Sequence, residues 1–234
     1  MILITRPEED AISLKNELYK LKIDSFIEPL LISNFYKITL DKIKNSELII
    51  TSKNAIKALL HNIGQNKDLK INTMTENISN FARLSGFTNM KNFNCKNIAE
   101  FQEKIINNLS KESRFIYLSG RHITKDIVSN LKNHNFHIEQ EIIYEMMPVE
   151  NFTSSCISLL RTKKIKAVTL LSKRSAEIFQ ILSKKNNIDL SNFKYFVLSK
   201  EIAHSMKSDN VMVSEFPNQK SLVDKIYTEL NIQS

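Results

Sequence analysis

The chain has 234 residues, 42% of them hydrophobic and 25% charged, which suits one large soluble domain or two small ones. It carries a formal net charge of +8, with 3 Gly, 4 Pro, 2 Cys and no Trp. Two distant cysteines exclude a disulfide framework, scattered glycines exclude a nucleotide fingerprint, and no apolar run approaches the ~20 residues of a membrane span.

The lysines are spread along the chain rather than clustered among aromatic residues, so no nucleic-acid partner is expected. Clusters such as Lys163-Lys164-Lys166 fall where helices would end, and there they complement the helix dipole. Cys95 and Cys156, with no basic-then-apolar leader at the N-terminus, predict a reducing, cytoplasmic setting and no membrane association.

Residues 2–5 (Ile-Leu-Ile-Thr) read as a strand buried on both faces. Pro7 is expected at the first helical position, with Glu8, Glu9 and Asp10 in the first turn. Ala11, Leu14, Leu18 and Leu21 share one helical face. A strand at 25–28 leads to Pro29, and 32–34 reads as a linker. Strands follow at 47–51, 69–74 and, weakly, 88–93. Their helices carry Ile56, Leu59, Leu60 and Ile63, then Ile78, Phe81 and Ala82 with a stop at Ser85-Gly86, then Ile98, Phe101, Ile105 and Leu109 after a capping Asn97.

The pattern then restarts. Residues 114–119 form a strand, Gly120-Arg121 a turn, and Ile127, Val128 and Leu131 a helix face. A strand at 136–144 reaches Tyr144 and a linker over 144–148. Beyond Pro148 come a helix near 152–162, strands at 165–171, 193–198 and 210–213, and a last helix with Leu222, Val223, Ile226 and Leu230. Strands alternating with helices predict an α/β fold with parallel sheets and right-handed crossovers. Glu47–Asn54 echoes Thr169–Arg174, and Met74-Thr75 echoes Leu198-Ser199. The echo predicts two similar parallel-sheet lobes joined by two linker strands, with the active cleft between them.

Ligands of open parallel sheets bind beyond the carboxyl ends of the strands, where helix N-termini present free N–H groups. Here those ends are Thr5-Arg6, Ser52-Lys53-Asn54, Met74-Thr75, Ser119-Gly120-Arg121, Ser172-Lys173-Arg174 and Ser199-Lys200. Plain helix capping explains any one hydroxyl. A cation beside nearly every one points further, to a ligand bearing carboxylates or phosphates. The histidines (His61, His122, His134, His137, His204) form no metal set, no acidic pair marks a Mg²⁺ site, and no G-x-S-x-G elbow is present. An enzyme built this way works by positioning its substrate, with no metal and no cofactor. Tyr144 is open to two readings: a packing residue, or a phenol that donates a proton to a leaving group.

Several stretches together resemble the uroporphyrinogen-III synthase family. They are Leu3-Ile4-Thr5-Arg6-Pro7, Pro29-Leu30, Ile49-Ile50-Thr51-Ser52, Ser85-Gly86, Leu118-Ser119-Gly120 followed by Leu131 and Tyr144, Leu171-Ser172, and Val197-Leu198-Ser199. The chain departs from the family at Lys22, Met74 and Asn135, where the family often has Gly. The resemblance implies two flavodoxin-like lobes, one built from 1–31 with 149–234 and the other from the inserted 35–143, with linkers 32–34 and 144–148. It implies a cofactor-independent cyclisation of hydroxymethylbilane, a linear tetrapyrrole polycarboxylate, to uroporphyrinogen III. The terminal hydroxyl leaves as water, and the last ring is inverted through a spiro intermediate.

In that scheme Tyr144 is the catalytic candidate. Thr5, Arg6, Ser52, Lys53, Asn54, Thr75, Gly120, Arg121, Ser172, Lys173, Arg174 and Ser199 are the substrate-binding candidates, with transient contact to the preceding pathway enzyme. The competing expectation is a non-catalytic two-lobed binding protein for a small anionic ligand.

Overall fold

The computed structural model describes residues 1–64, 66–123 and 125–231, the side chains of Glu9 and Asn231 excepted. In chain order the elements are β1 (Ile2–Ile4), α1 (Glu8–Lys20), β2 (Ser25–Ile27), β3 (Leu31–Phe35), α2 (Leu40–Ile43), β4 (Glu47–Ile50), α3 (Lys53–Ile63), β5 (Ile71–Thr73), α4 (Glu76–Leu84), β6 (Met90–Asn92) and α5 (Ile98–Asn108). Then come β7 (Arg114–Gly120), α6 (Ile127–Asn133), β8 (His137–Pro148), α7 (Ser154–Arg161), β9 (Ala167–Leu170), α8 (Lys173–Lys185), β10 (Lys194–Val197), α9 (Lys200–His204), β11 (Val211–Val213) and α10 (Gln219–Asn231). They form two compact units, Met1–Ile32 with Met147–Ser234, and Ser33–Met146.

The first unit holds a parallel sheet in the order β11-β10-β9-β1-β2. Counted along the unit's own chain, that is the flavodoxin order 2-1-3-4-5. β1 shows why so short a strand is central. Leu3 points into a cluster with Val168, Phe179 and Tyr195, while Ile2 and Ile4 point into one with Leu14, Leu18 and Leu222. Successive side chains thus feed cores on opposite faces, each closed by helices.

The second unit's sheet runs β3-β8-β7-β4-β5-β6, with β8, β7, β4, β5 and β6 parallel. Counting β7 and β8 as its first two strands gives the same 2-1-3-4-5 layout. The second unit is therefore a circular permutation of the first. That accounts for the sequence echo, since β4–α3 and β5–α4 occupy the places of β9–α8 and β10–α9. Leu48 and Ile50 face one core with Ile56 and Leu59, and Ile49 faces the other with Phe101 and Phe115.

The structure adds detail to the sequence reading at the two linker strands and corrects it at Pro7 and Leu21. Residues 32–34 lie inside strand β3, at the edge of the sheet beside β8. Residues 144–148 lie inside β8, which runs through Pro148 at its last position, where a missing N–H breaks no further pairing. Pro7 is the N-cap of α1, at ψ 141, rather than its first helical residue. Leu21 is 36% exposed because the helix ends before it. Lys22 and Asn135, the departures from glycine, both adopt the left-handed conformation, at φ 59 and φ 65. Each follows a helix whose last turn closes with paired bonds, Ile23 N–H to Leu18 O and Phe136 N–H to Leu131 O among them.

Candidate active site

Parallel strands deliver their carboxyl ends, and the helix N-termini that follow, to one edge of each sheet. At that edge Ser52, Thr75, Ser172 and Ser199 are N-caps, accepting from Asn54, Ile78, Ser175 and Ile202 N–H respectively. Each cap uses the hydroxyl oxygen as acceptor and leaves neighbouring first-turn N–H groups to meet an anion.

In the first unit, a cavity of about 500 Å³ opens at the β1/β9 switch point, lined by Thr5, Arg6, Ser172, Ser175, Asn218 and Gln219 with apolar Leu31, Leu171 and Leu198. The Thr5 hydroxyl donates to Thr169 O at 2.7 Å, so its proton is committed to the sheet. Arg6 Nη1 donates to Gln219 Oε1 at 3.1 Å, and Gln219 is held in turn by Ser13 and Glu17. Lys173, Arg174 and Ser199 do not line this cavity. Asn218 and Gln219 escaped the sequence reading. The signal was available, because Asn218 after Pro217 caps the last helix by accepting from Ser221 N–H at 2.9 Å. A wider hollow of about 720 Å³ beside Ile181 and Ile188 lies along the flank of α8, away from the strand ends.

In the second unit, Gly120 is the buried last residue of β7 rather than part of a turn. Across the ladder it pairs with Tyr144, whose ring packs against it and against the core cluster of Leu48, Ile50 and Leu118. No described residue hydrogen-bonds the Tyr144 hydroxyl. Beside it stands a charged network. Arg121 donates through Nε to Glu145 Oε2 at 2.7 Å and through Nη2 to the Tyr36 hydroxyl at 3.0 Å, with its guanidinium 5.2 Å above the Tyr36 ring. Tyr36 donates to the same Glu145 oxygen, and His122 Nε2 lies 3.6 Å from the other.

The Tyr36 hydrogen bond, followed by that of Arg121, holds the Glu145 carboxyl below its ordinary pKa. Arg121 in turn has its pKa raised by its hydrogen bonds to Tyr36 and then to Glu145. Behind Tyr144, the Tyr117 hydroxyl is 3.1 Å from Thr51 Oγ1, and burial pushes its pKa up, with Tyr144 adding to the rise.

The other candidates in this unit have partners of their own. The Lys53 ammonium sits 5.9 Å above the Phe81 ring, and Asn54 Nδ2 donates to Met146 Sδ at 3.2 Å. Tyr36 and Glu145 were not singled out in the sequence. Nothing local marks a tyrosine whose partner is 109 residues away. Among the described residues, no three His, Cys, Asp or Glu side chains form a metal-binding group, and no helix is long and apolar enough to cross a membrane.

A family model for uroporphyrinogen-III synthase HemD matches residues 13–224. The chain belongs to the uroporphyrinogen-III synthase family. The activity follows from membership: it is a cofactor-independent lyase of tetrapyrrole biosynthesis that forms uroporphyrinogen III. The structure is similar to a uroporphyrinogen-III synthetase from Helicobacter pylori, at TM-score 0.65 and 16% identity over 99% of this chain and 98% of that one. A mutant uroporphyrinogen III synthase from the extremely thermophilic bacterium Thermus thermophilus aligns over 99% of both chains at 10% identity and TM-score 0.47. No curated protein matches the chain in sequence. At 16% identity the likeness to the Helicobacter pylori structure speaks for the fold alone, and the family match carries the activity.

Proposed function

We propose that the synthase binds hydroxymethylbilane by its carboxylates at these strand ends and that Tyr144 assists departure of the terminal hydroxyl. The observation that carries the proposal is the Tyr144 phenol, half-buried within β8 beside the last residue of β7, with its hydroxyl unengaged by any described residue. The first-turn N–H groups behind Ser172, Ser52 and Thr75, with Arg6 and Asn218 at the first unit's cavity, supply fixed donors for carboxylates. The net positive charge draws the polyanion in.

The phenol donates a hydrogen bond to the leaving oxygen while the pyrrole nitrogen's electron pair pushes out the C–O bond. The leaving oxygen takes the phenol proton and departs as water, the pyrrole N–H proton restores the phenol, and the resulting azafulvene is attacked by the substituted carbon of the far ring. Most of the driving force lies in that pyrrole, so the protein's larger task is to hold the two ends together and bar direct closure. We place the reaction in the cytoplasm, where the buried thiols of Cys95 and Cys156 stay reduced. Because the bilane closes on its own, a brief contact with the enzyme that supplies it would shorten its exposure.

The test is incubation of the purified protein with hydroxymethylbilane, followed by oxidation and separation of the porphyrin isomers. Product dominated by the type III isomer, formed faster than the spontaneous reaction, is expected. Type I product at the spontaneous rate would reduce the protein to a binder of anions.

A further inference from the structure

The ladder between β7 and β8 is irregular where β7 ends. Arg114 to Ser119 pair one for one with His137 to Ile142, but Gly120 pairs with Tyr144. Ile143 is therefore an extra residue in β8, a bulge. In an unbroken ladder Gly120 would face Ile143, and Tyr144 would point to the face opposite Ile143. With the bulge, Ile143, which is 1% exposed, and Tyr144 pack on the same cluster, alongside Ile50 and Leu118. Backbone bonds fix the arrangement: Tyr36 N–H donates to Ile143 O at 2.8 Å, and Arg121 N–H donates to Tyr144 O at 3.0 Å.

Gly120 completes it. A Cβ at this position would lie 2.7 Å from Tyr144 Cζ, 2.8 Å from Cε2 and 3.0 Å from the hydroxyl oxygen. Gly120 is not among the glycines at positive φ, so the backbone does not require glycine there. The phenol occupies the space that any side chain would take.

We infer that Gly120 and the Ile143 bulge are a seat that positions the Tyr144 phenol, and that Gly120 acts on the reaction through that ring rather than by touching substrate. The inference rests on the role proposed for Tyr144, and its test separates the two. In protein labelled with 3-fluorotyrosine, the resonance of residue 144 is assigned by its loss in Tyr144→Phe. Gly120→Ala is expected to move that resonance while those of Tyr19, Tyr195 and Tyr227 hold. It should also lower kcat roughly 10- to 100-fold, the scale of a misplacement of about 1 Å, with KM changed less and the type I share raised.

A melting cycle covers the case in which Gly120→Ala folds poorly. The substitution should cost roughly 5 °C beside Tyr144 and close to nothing beside Tyr144→Ala, where the ring is gone. An unmoved resonance, or an equal loss in the Tyr144→Ala background, overturns the seat. If Tyr144→Phe leaves rate and isomer ratio unchanged, the donor role falls, while the resonance and the melting cycle still decide the seat.

Discussion

Glu28 offers the sharpest energetic prediction. It is 2% exposed and follows β2, just before Pro29. Its Oε1 accepts from Thr153 N–H at 2.6 Å and its Oε2 from the Thr153 hydroxyl at 2.7 Å. Thr153 in turn caps α7 by accepting from Cys156 N–H at 3.2 Å. Val149 N–H donates to Leu30 O at 3.1 Å in the same region. One carboxyl group thus ties together the two segments through which the chain leaves and re-enters the first unit.

Glu28→Ala removes two hydrogen bonds to a charged acceptor, together worth about 1.5–3 kcal/mol because Thr153 is exposed and water can replace the lost oxygen. It also removes negative charge from a helix N-terminus, worth about 0.3–1 kcal/mol. Allowing for non-additivity, the loss should be about 2–3 kcal/mol, a drop in Tm of roughly 7 °C for a chain of this length. Glu28→Gln keeps the volume and one acceptor, so it should cost about 1–2 kcal/mol, or roughly 4 °C. Thermal unfolding followed by circular dichroism reads both. The reasoning fails if the Ala and Gln variants melt together, or if Ala shifts Tm by less than about 2 °C.

Two further predictions concern the strand ends. Arg6→Ala should raise KM for hydroxymethylbilane roughly tenfold with kcat little changed, since Arg6 lines the cavity proposed to take a substrate carboxylate. Steady-state kinetics check it. Glu145 is held below its ordinary value of 4.5 by Tyr36 and Arg121, so its contribution to stability is present above that value and is lost as pH falls through the folded one. Glu145→Gln should therefore melt below the wild-type chain at pH 7, and the gap should close as pH falls through the carboxyl's lowered pKa. A gap that persists at low pH would mean the carboxylate's charge is not what the network uses.

Helix caps and buried strands were legible because their chemistry is local. Ser52, Thr75, Asn97, Ser172 and Ser199 all cap the helices that the apolar periodicity predicts. β3 was not legible. Its Ser33 and Asn34 read as linker, and only pairing beside β8 makes the segment a strand. Gly120 read as a turn because a register shift is a property of two strands, and one strand's sequence does not display it. The cations at the strand ends were visible as charges, but their internal commitments were not. Arg121 is engaged by Glu145 and Tyr36, and Lys53 lies over Phe81. Lys22 shows the reverse case, a residue poorly suited to a left-handed turn that the helix end nevertheless holds there.

The most direct test of the proposed chemistry is the ratio of type III to type I product formed by Tyr144→Phe. The substitution removes one hydroxyl and leaves the ring in its place against Gly120. A slower reaction with a larger type I share is predicted, short of complete loss because the pyrrole supplies most of the push. A rate and ratio equal to those of the unchanged chain would contradict the role assigned to this phenol.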